Sequence, residues 1–247
     1  QHRVALRRIR QVAGMMTFEQ AKACVLYEDN HLLVVCKPVN MPVQADASGD
    51  EDLLTAMKAY VKQAYNKPGE VYLGLVHRLD RPVGGAMVFA RTSKAAQRLT
   101  EQVKSRKMGR TYWAVVRGNP PESGKLSHFL LKDEHTNTTR AVQEGTAGAK
   151  PALLEYRVLD RKNGLSLCQI KLQTGRSHQI RVQFSTEGWP LWGDARYGGG
   201  KPGEQIALWG RYLDLEHPTQ KVPMHFDCPP PNAFPFQLFT DICREQA

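Results

Sequence analysis

The chain has 247 residues, of which 41% are hydrophobic and 23% charged, a balance typical of a globular protein with a buried core. Its longest apolar runs, such as residues 32–36 and 165–168, are far too short to span a bilayer, which argues against a membrane protein. The formal net charge of +10 predicts a polyanionic partner, with nucleic acid the commonest. A solubilising surface or an acidic protein partner would account for the same excess, so both readings stay open.

The cysteines are scattered along the chain and show no paired spacing of the kind that ligates a metal. They are Cys24, Cys36, Cys168, Cys228 and Cys243. This pattern predicts neither a disulfide framework nor a zinc site, and it favours a reducing compartment.

The first residues form a basic segment that begins with Gln1 rather than methionine. Residues 1–18 contain four arginines (Arg3, Arg7, Arg8 and Arg10) and no acidic residue. The segment fits the remnant of an organellar targeting sequence, a basic arm that contacts RNA phosphates, or the arbitrary start of a fragment. We predict a basic extension over residues 1–22 and one folded domain over residues 23–247. The expected location is the cytoplasm for a bacterial protein, with the mitochondrial matrix as the alternative.

From residue 23 onward, short strand-like runs alternate irregularly with a few helical patterns. An apolar run ended by Pro38 predicts a buried strand, and apolar residues at helical spacing after Asp52 predict a capped helix. A turn rich in proline and glycine covers residues 80–84. In this half of the domain the predicted strands are residues 31–37, 73–79, 85–90 and 111–117, and the predicted helices are residues 53–65 and 93–106.

The second half is richer in strand-like runs. Asn163-Gly164 lies between two such runs and is a strong signal for a two-residue hairpin. Ser177 is expected to cap a short helix that closes near Gly188. Residues 118–151 are polar and predict an exposed hairpin or insertion. The remaining predicted strands are residues 153–160, 165–172, 205–215 and 222–226, so the class is mixed α/β (α+β) with much antiparallel pairing.

Asp80 is the first candidate for chemistry. It lies between Arg78 and Arg81, at the end of a predicted strand and the start of the turn. A nearby guanidinium favours the charged form of a carboxylate. A rigid, ionised carboxylate suits nucleophilic attack or the binding of a cationic ligand. Taken alone, however, an ordinary ion pair that ties the turn to the fold is the simpler interpretation.

The second candidate segment covers residues 172–181. A strand runs into a helix through Gly175, so the free backbone N–H groups of the helix start lie beside Arg176. The guanidinium of Arg176 is suited to a bidentate pair with a carboxylate, and Arg181 lies about one helical turn further on. The alternative is a purely structural role, in which the helix is simply capped and its arginines are solvated.

Taken together, these segments resemble the RluA-type family of RNA pseudouridine synthases. Residues 28–44 resemble the first motif of the family, residues 77–91 its catalytic motif, residues 109–118 the segment with the active-site tyrosine, and residues 172–181 its third motif. With residues 213–218, the resemblance covers roughly residues 23–240. Several motifs in the same order are much harder to meet by chance than one. The resemblance implies a mixed, largely antiparallel sheet flanked by helices and loops around a central active-site cleft.

The resemblance also implies roles for individual residues. Asp80 would be the nucleophile in a reaction that detaches uracil from its ribose, rotates it and rejoins it through carbon, without cofactor or metal. Tyr112 would contact the target base and help to remove a proton from the rejoined carbon, and Arg176 would pair with Asp80. Arg78 would insert into the RNA stack in place of the extruded base, since chemistry on a stacked base needs flipping. Alternatively, Tyr112 is a core strand residue and Arg78 a phosphate contact.

The remaining candidates are RNA contacts. Arg81 and Arg181 are predicted to bind RNA, and Lys37 is a weaker candidate for the wall of the site or for a phosphate contact. His77 is expected to be structural. The sequence departs from the usual family pattern at Val83, where a small hydroxyl residue is common, and at Asn40, where glycine is common. Asparagine tolerates the left-handed backbone region, so the turn at Asn40 should persist.

Three functions follow from these observations. The leading one is isomerisation of uridine in structured RNA, with ribosomal RNA as the first choice, transfer RNA as the second, and a ribosomal or pre-ribosomal particle as a possible partner. The second is a synthase fold kept as an RNA-binding assembly factor with little or no catalysis, which the basic arm and Val83 would support. The third is a binding module for an acidic protein, which predicts RNA affinity that depends little on salt.

Overall fold

The computed structural model describes residues 15–245, so the four arginines of the basic arm lie outside the described residues. The strands are β1 Val25–Glu28, β2 Leu32–Lys37, β3 Gly74–Leu75, β4 Gly84–Ala90, β5 Gly109–Arg117, β6 Ser123–Asp133, β7 Thr138–Val142, β8 Lys150–Lys162, β9 Leu165–Leu172, β10 Leu208–Glu216 and β11 Pro223–Asp227. The helices are α1 Phe18–Cys24, α2 Leu53–Ala64, α3 Ser93–Lys104, α4 Gln179–Thr186 and α5 Thr240–Glu245, with a 3-10 turn at Phe236–Phe239.

These strands form one sheet whose order is β1-β2-β4-β10-β5-β9-β8-β6-β7, with β3 paired to β4 and β11 to β10. Neighbouring strands pair antiparallel except β4 and β10, which are parallel. The predicted class, a mixed and largely antiparallel sheet with flanking helices, is confirmed. None of the helices within residues 15–245 is both long and apolar enough to cross a membrane.

The central strands of the sheet are buried on both faces, and β5 shows this best. Tyr112, Ala114 and Val116 belong to the core cluster that includes α2, whereas Trp113 and Val115 belong to the cluster that includes α3. Successive side chains of a strand point to opposite faces, so an uninterrupted apolar run is what a strand between two layers requires. The central position of β5 places Tyr112 in the middle of the molecule.

Two local predictions are confirmed in detail. The Asp52 carboxylate accepts a hydrogen bond from the Thr55 N–H at 3.0 Å and caps α2. Asn163 and Gly164 both have positive φ, 53° and 72°, as a two-residue hairpin between β8 and β9 requires.

Other predictions are wrong in their extent. In the predicted strand over residues 73–79 only Gly74–Leu75 pairs, with β4, and the chain then runs irregularly to Asp80. The cap of α4 is His178 in the left-handed region rather than Ser177. The side chain of Gln179 accounts for this, because its Oε1 accepts the Arg176 N–H at 2.9 Å and organises the turn from inside the helix.

The domain boundary and the cysteines also differ from expectation. The proposed division after residue 22 falls inside α1, which Thr17 caps and whose Ala21 is buried, so the division stays a prediction.

Cys36 and Cys228 form a disulfide contact with their Cα atoms 6.3 Å apart, contrary to the prediction from their spacing. They are 192 residues apart in sequence, and β4 and β10 bring them together.

Gly84 and Gly85 control how the chain leaves the Asp80 loop and enters β4. Gly85 has φ +130°, and a Cβ there would overlap the backbone of Gly210 in the parallel neighbour β10. A Cβ on Gly84 would overlap the ring of Trp209. Val83 is buried in the core just before them. The unusual Val83-Gly84 pair is therefore packed into the sheet and provides the close approach that glycine permits.

A buried polar network ties the β1–β2 turn to the chain beyond β10. The Asp29 carboxylate accepts hydrogen bonds from the hydroxyl of Tyr27, from Nε2 of His217 at 2.7 Å and from the backbone N–H groups of His31 and Leu32. Burial by itself would raise the pKa of Asp29, but these hydrogen bonds lower it to about 2. The charged carboxylate therefore stabilises the fold.

Replacing Asp29 with alanine is expected to lower the free energy of unfolding by about 3 kcal/mol at pH 7, because four donors lose their acceptor. Since the pKa is lower in the folded state, the stabilisation is present above pH 4 and is lost as the pH falls through about 2. Urea unfolding of both proteins from pH 7 to pH 2.5 measures the difference. Asp214→Ala, which breaks an exposed pair with His225, should cost about 0–1 kcal/mol.

Candidate active site

Asp80 lies in the irregular segment between β3 and β4, and buried Lys37 holds that segment. The ammonium of Lys37 donates to the carbonyl of Pro38 at 2.8 Å and to the carbonyl of Arg81 at 3.0 Å. Lys37 is 0% exposed and lines neither the small cavity nor the groove at Asp80, so its predicted role as a site-wall or phosphate contact is wrong. Lys37 is the last residue of β2 and packs against the Asp80 loop, where its hydrogen bond fixes the carbonyl of Arg81, the residue that follows Asp80.

Burial is the main effect on the pKa of Lys37, which is lowered to about 7. The charge of Asp80 raises this pKa and the charge of Arg81 lowers it, each by less than burial does. Between pH 7 and about pH 10 the unfolded chain therefore binds more protons at this site than the folded chain does, and stability should rise with pH. We expect the free energy of unfolding of the wild type, relative to Lys37→Met, to increase by about 2–4 kcal/mol over that range. Denaturant unfolding at pH 7, 8.5 and 10 checks this, and a flat difference would contradict it.

Arg181 is the arginine that faces Asp80. Its Nη1 lies 3.7 Å from Oδ2 of Asp80, while its Nε and Nη2 each donate to the carboxylate of Asp194 at 2.9 Å. Arg181 and Asp194 are both buried, and Asp194 is only 1% exposed. One guanidinium is thus shared between a buried carboxylate, which orients it, and the carboxylate of Asp80.

The predicted pairing of Arg176 with Asp80 is therefore corrected. Nε of Arg176 donates to the carbonyl of Pro151 at 2.8 Å, and its half-buried side chain lines a small cavity at Asp80. Because α4 begins only at Gln179, Arg176 precedes the helix, whereas Arg181 lies within it, is buried and faces Asp80. Arg181 was also predicted to contact RNA; its side chain is buried and does not line the basic groove, so it is not placed to bind a phosphate there, although it does line the small cavity at Asp80.

His178 is a site residue that sequence reasoning missed. It has φ 53°, and its Nε2 lies 4.0 Å from Oδ2 of Asp80, while its Nδ1 lies 2.6 Å from the hydroxyl of Tyr197. Asp194 and Tyr197 were missed as well. His178 stands inside the third motif, and the other two stand in the glycine-bounded stretch 193–198, which was the available signal.

A small cavity of about 80 Å³ opens at Asp80, and Tyr112 lines it from β5. Burial raises the pKa of Tyr112, an effect that Arg110 opposes and Asp80 reinforces, so the phenol keeps its proton at neutral pH. The apolar walls of the cavity are formed by Leu79, Val83, Leu172, Ile180 and Leu208. The cavity thus combines a carboxylate, a guanidinium and a phenol with apolar walls, a combination suited to a flat heterocycle.

A larger groove of about 990 Å³ adjoins the cavity, and Asp80 and Arg78 line both. The cations along it are Arg78, Arg81, Lys104, Arg106, Arg110, Lys132 and Arg176. Arg81, a predicted RNA contact, is exposed but is paired with Asp46 and Asp50.

Buried His77 behaves as a structural residue, because its Nε2 accepts the Val88 N–H at 3.0 Å and burial lowers its pKa to about 3. Among residues 15–245, no cluster of three or more His, Cys, Asp or Glu is arranged to hold a metal.

Known proteins share this arrangement of elements and motifs. A family model described as RNA pseudouridylate synthase matches residues 31–186, more than half of the chain. The chain belongs to the RNA pseudouridylate synthase family. The ribosomal large subunit pseudouridine synthase D of Pseudomonas aeruginosa is 35% identical to this family member over 227 residues, which cover 85% of the chain and 69% of that protein. The predicted resemblance is confirmed.

Two further relatives and two solved structures agree. An uncharacterised RNA pseudouridine synthase of Bacillus subtilis is 33% identical and covers 92% of the chain and 73% of its own length. The Yersinia pestis synthase D is 36% identical over 71% of the chain but only 52% of its own length. The human RNA pseudouridylate synthase domain containing 4 has a TM-score of 0.73 at 22% identity, covering 92% of this chain and 96% of its own. The human domain containing 1 has a TM-score of 0.66 at 24% identity, covering 89% and 94%. These two likenesses concern the fold.

Proposed function

We propose that this family member isomerises uridine to pseudouridine in structured RNA, with Asp80 as the nucleophile. The observation that carries the proposal is the position of Asp80 at the mouth of a cavity that Tyr112 lines, with the guanidinium of Arg181 3.7 Å from its Oδ2. A carboxylate that is oriented by a shared guanidinium and still one-third exposed is available to attack a ribose carbon.

The reaction is an isomerisation, so its atoms balance without a second substrate. The bond between the ribose carbon and the uracil nitrogen breaks, a bond between the same ribose carbon and a ring carbon forms, and the proton of that ring carbon is released while the nitrogen gains one. No electrons are gained or lost overall, and we propose that neither cofactor nor metal takes part.

Tyr112 is proposed to contact the target base as a neutral phenol. Because burial raises its pKa, the hydroxyl donates a hydrogen bond at neutral pH. To accept the proton of the ring carbon it would first have to lose its own, which its buried position disfavours. The predicted contact with the base is therefore retained as the main role.

Arg78 is proposed to assist base flipping. Its side chain is exposed and lies where the small cavity meets the basic groove, so it can occupy the space that an extruded base leaves. Arg106, Arg110, Lys132 and Arg176 line the groove and are proposed to contact the phosphates of the flanking strand. Arg81 keeps a secondary role there, since two carboxylates already neutralise it.

Ribosomal RNA is the proposed first substrate, transfer RNA the second, and a pre-ribosomal particle a possible partner. The support is the name of the Pseudomonas aeruginosa relative, which refers to the large ribosomal subunit. The test is to incubate the protein with transcripts of large-subunit ribosomal RNA and with transfer RNA, and to map pseudouridine at nucleotide resolution. New pseudouridine in the ribosomal transcript supports the proposal. Salt-dependent binding without any pseudouridine in either RNA would favour the assembly factor instead.

Neutralising two groove cations should weaken RNA binding. We expect Arg106→Gln combined with Lys132→Gln to lower the affinity about tenfold at moderate salt and to reduce the salt slope by about 2, because two phosphate contacts are lost. A matched pair, Lys94→Gln with Lys221→Gln, removes the same charge from the separate cleft beside α3. Equal weakening by both pairs would mean that only net charge matters and would contradict the groove as the binding surface.

A further inference from the structure

The hydroxyl of Tyr197 lies between two partners whose roles can be assigned. The Thr139 N–H can only donate, and it does so to the Tyr197 oxygen at 3.0 Å. The phenolic proton is then available for Nδ1 of His178, 2.6 Å away. A neutral imidazole carries one proton, so a His178 ring that accepts at Nδ1 carries its proton at Nε2. That nitrogen faces Oδ2 of Asp80 at 4.0 Å.

The charges around His178 are consistent with a neutral ring. Burial lowers the pKa of His178, Asp80 and Asp194 raise it, and Arg181 and Arg196 lower it, with a net decrease. The choice of tautomer therefore decides whether a donor or a lone pair faces the nucleophile. His178 also holds a left-handed backbone, φ 53°, a region that histidine enters more readily than most residues with a side chain.

The stretch 193–198 connects this pair to the groove. Its Asp194 binds Arg181, and the ring of Tyr197 lies 5.1 Å from the Arg181 guanidinium. Its Arg196 donates through Nη1 to the carbonyl of Asn137 at 2.8 Å and to that of Thr136 at 3.2 Å, at the tip of the β6–β7 hairpin. Asn137 lines the basic groove. The stretch 193–198 therefore contacts the hairpin tip and also His178 and Arg181, the two side chains that face Asp80.

We propose that Tyr197 is a positioning residue that acts through His178. Its hydroxyl selects the His178 tautomer whose Nε2–H faces Oδ2 of Asp80. The same hydroxyl accepts the Thr139 N–H and so connects His178 to the β6–β7 hairpin. Arg181 faces the same Oδ2, so both donors leave Oδ1 for the attack on the ribose. The inference rests on the proposed function, because it takes Asp80 as the nucleophile.

The test is Tyr197→Phe, which removes only the hydroxyl. We expect kcat to fall about tenfold with KM changed less than twofold, because Arg196 still holds the hairpin tip that lines the groove, whereas nothing selects the tautomer of His178. The ¹⁵N spectrum of the imidazoles, with the His178 signals identified by their loss in His178→Asn, should show the Nε2–H form in the wild type and a mixture of tautomers in Tyr197→Phe. Asparagine suits this position because it tolerates positive φ.

Two controls separate positioning from general stability. Tyr60→Phe removes another buried hydroxyl, which donates to Glu28 at 2.9 Å, and should leave kcat unchanged. In the His178→Asn background, Tyr197→Phe should have no further effect on kcat, since its action passes through the ring. An Nδ1–H form of His178 in an active wild type, or an equal loss of kcat in both backgrounds, would overturn this inference alone. A wild type that isomerises no uridine would instead overturn the proposed function.

Discussion

Replacing Asp80 with asparagine is expected to lower kcat for uridine isomerisation by on the order of 10⁴-fold or more, because an amide of nearly the same shape has no charge with which to attack the ribose. The fold should be retained. The Asp80 side chain is 33% exposed, and Arg181 keeps its bidentate pair with Asp194. RNA affinity should therefore stay within a few-fold of the wild type.

The measurement is single-turnover conversion of a mapped target uridine, with RNA binding measured on the same protein. Asp46→Asn is a suitable control, since it removes a carboxylate from the groove wall that pairs with Arg81 but does not line the small cavity. It should leave kcat within twofold. If Asp80→Asn kept more than about one-hundredth of the wild-type rate, the assignment of the nucleophile would fall. Rescue of a null strain by Asp80→Ala would favour the assembly factor.

Replacing Arg181 with methionine should have the second-largest effect, because it damages two functions at once. Asp194 would be left as an unpaired, buried charge, which is expected to lower the free energy of unfolding by about 3–5 kcal/mol. Asp80 would lose the guanidinium that faces it, and kcat should fall by about 10³-fold, as expected for a residue that orients and stabilises a reacting carboxylate. Arg181→Lys should recover little, since lysine cannot form the bidentate pair.

Two comparisons separate the structural effect from the catalytic one. The double variant Arg181→Met with Asp194→Leu should regain most of the lost stability, because no charge is left buried, but it should not regain kcat. Arg176→Met should raise KM and lower the unfolding free energy by about 1 kcal/mol at most, since the half-buried Arg176 loses one hydrogen bond, to the carbonyl of Pro151. If Arg176→Met lowered kcat as strongly as Arg181→Met, the pairing expected from the sequence would be right and the one observed here would not represent the active state.

Features that depend on neighbours in the chain were predictable from the sequence. The Asn163-Gly164 hairpin, the Asp52 cap and the loop that contains Asp80 all follow from local turn and capping chemistry. Tyr112 was placed on a strand that enters the site, and the order of the motifs indicated the family. The apolar run of β5 also predicted a strand, although a sheet buried on both faces leaves no alternation from which to infer which residues face the cavity.

The identity of the residues around Asp80 could not be obtained in this way. Arg176 and Arg181 stand five positions apart in one motif, and both carry a guanidinium suited to a carboxylate. Which of them faces Asp80 depends on where α4 starts, because Arg176 precedes the helix and Arg181 lies inside it, and the helix begins directly after the left-handed residue His178. Lys37 was misassigned for a similar reason, because a lysine at the end of a strand is usually exposed and only the packing of the Asp80 loop encloses it.

By itself, the sequence determined the family and the fold class, and it pointed to Asp80 as the proposed nucleophile and to the tyrosine that lines its cavity, because all of these depend on short contiguous motifs. Only the tertiary structure decided what surrounds Asp80. Arg181 replaced Arg176 as its partner, Lys37 became the support of its loop, and His178, Asp194 and Tyr197 joined the site. The physical reason is that these contacts are made across turns and between distant segments, where hydrogen-bond geometry and burial choose among side chains of the same chemical type.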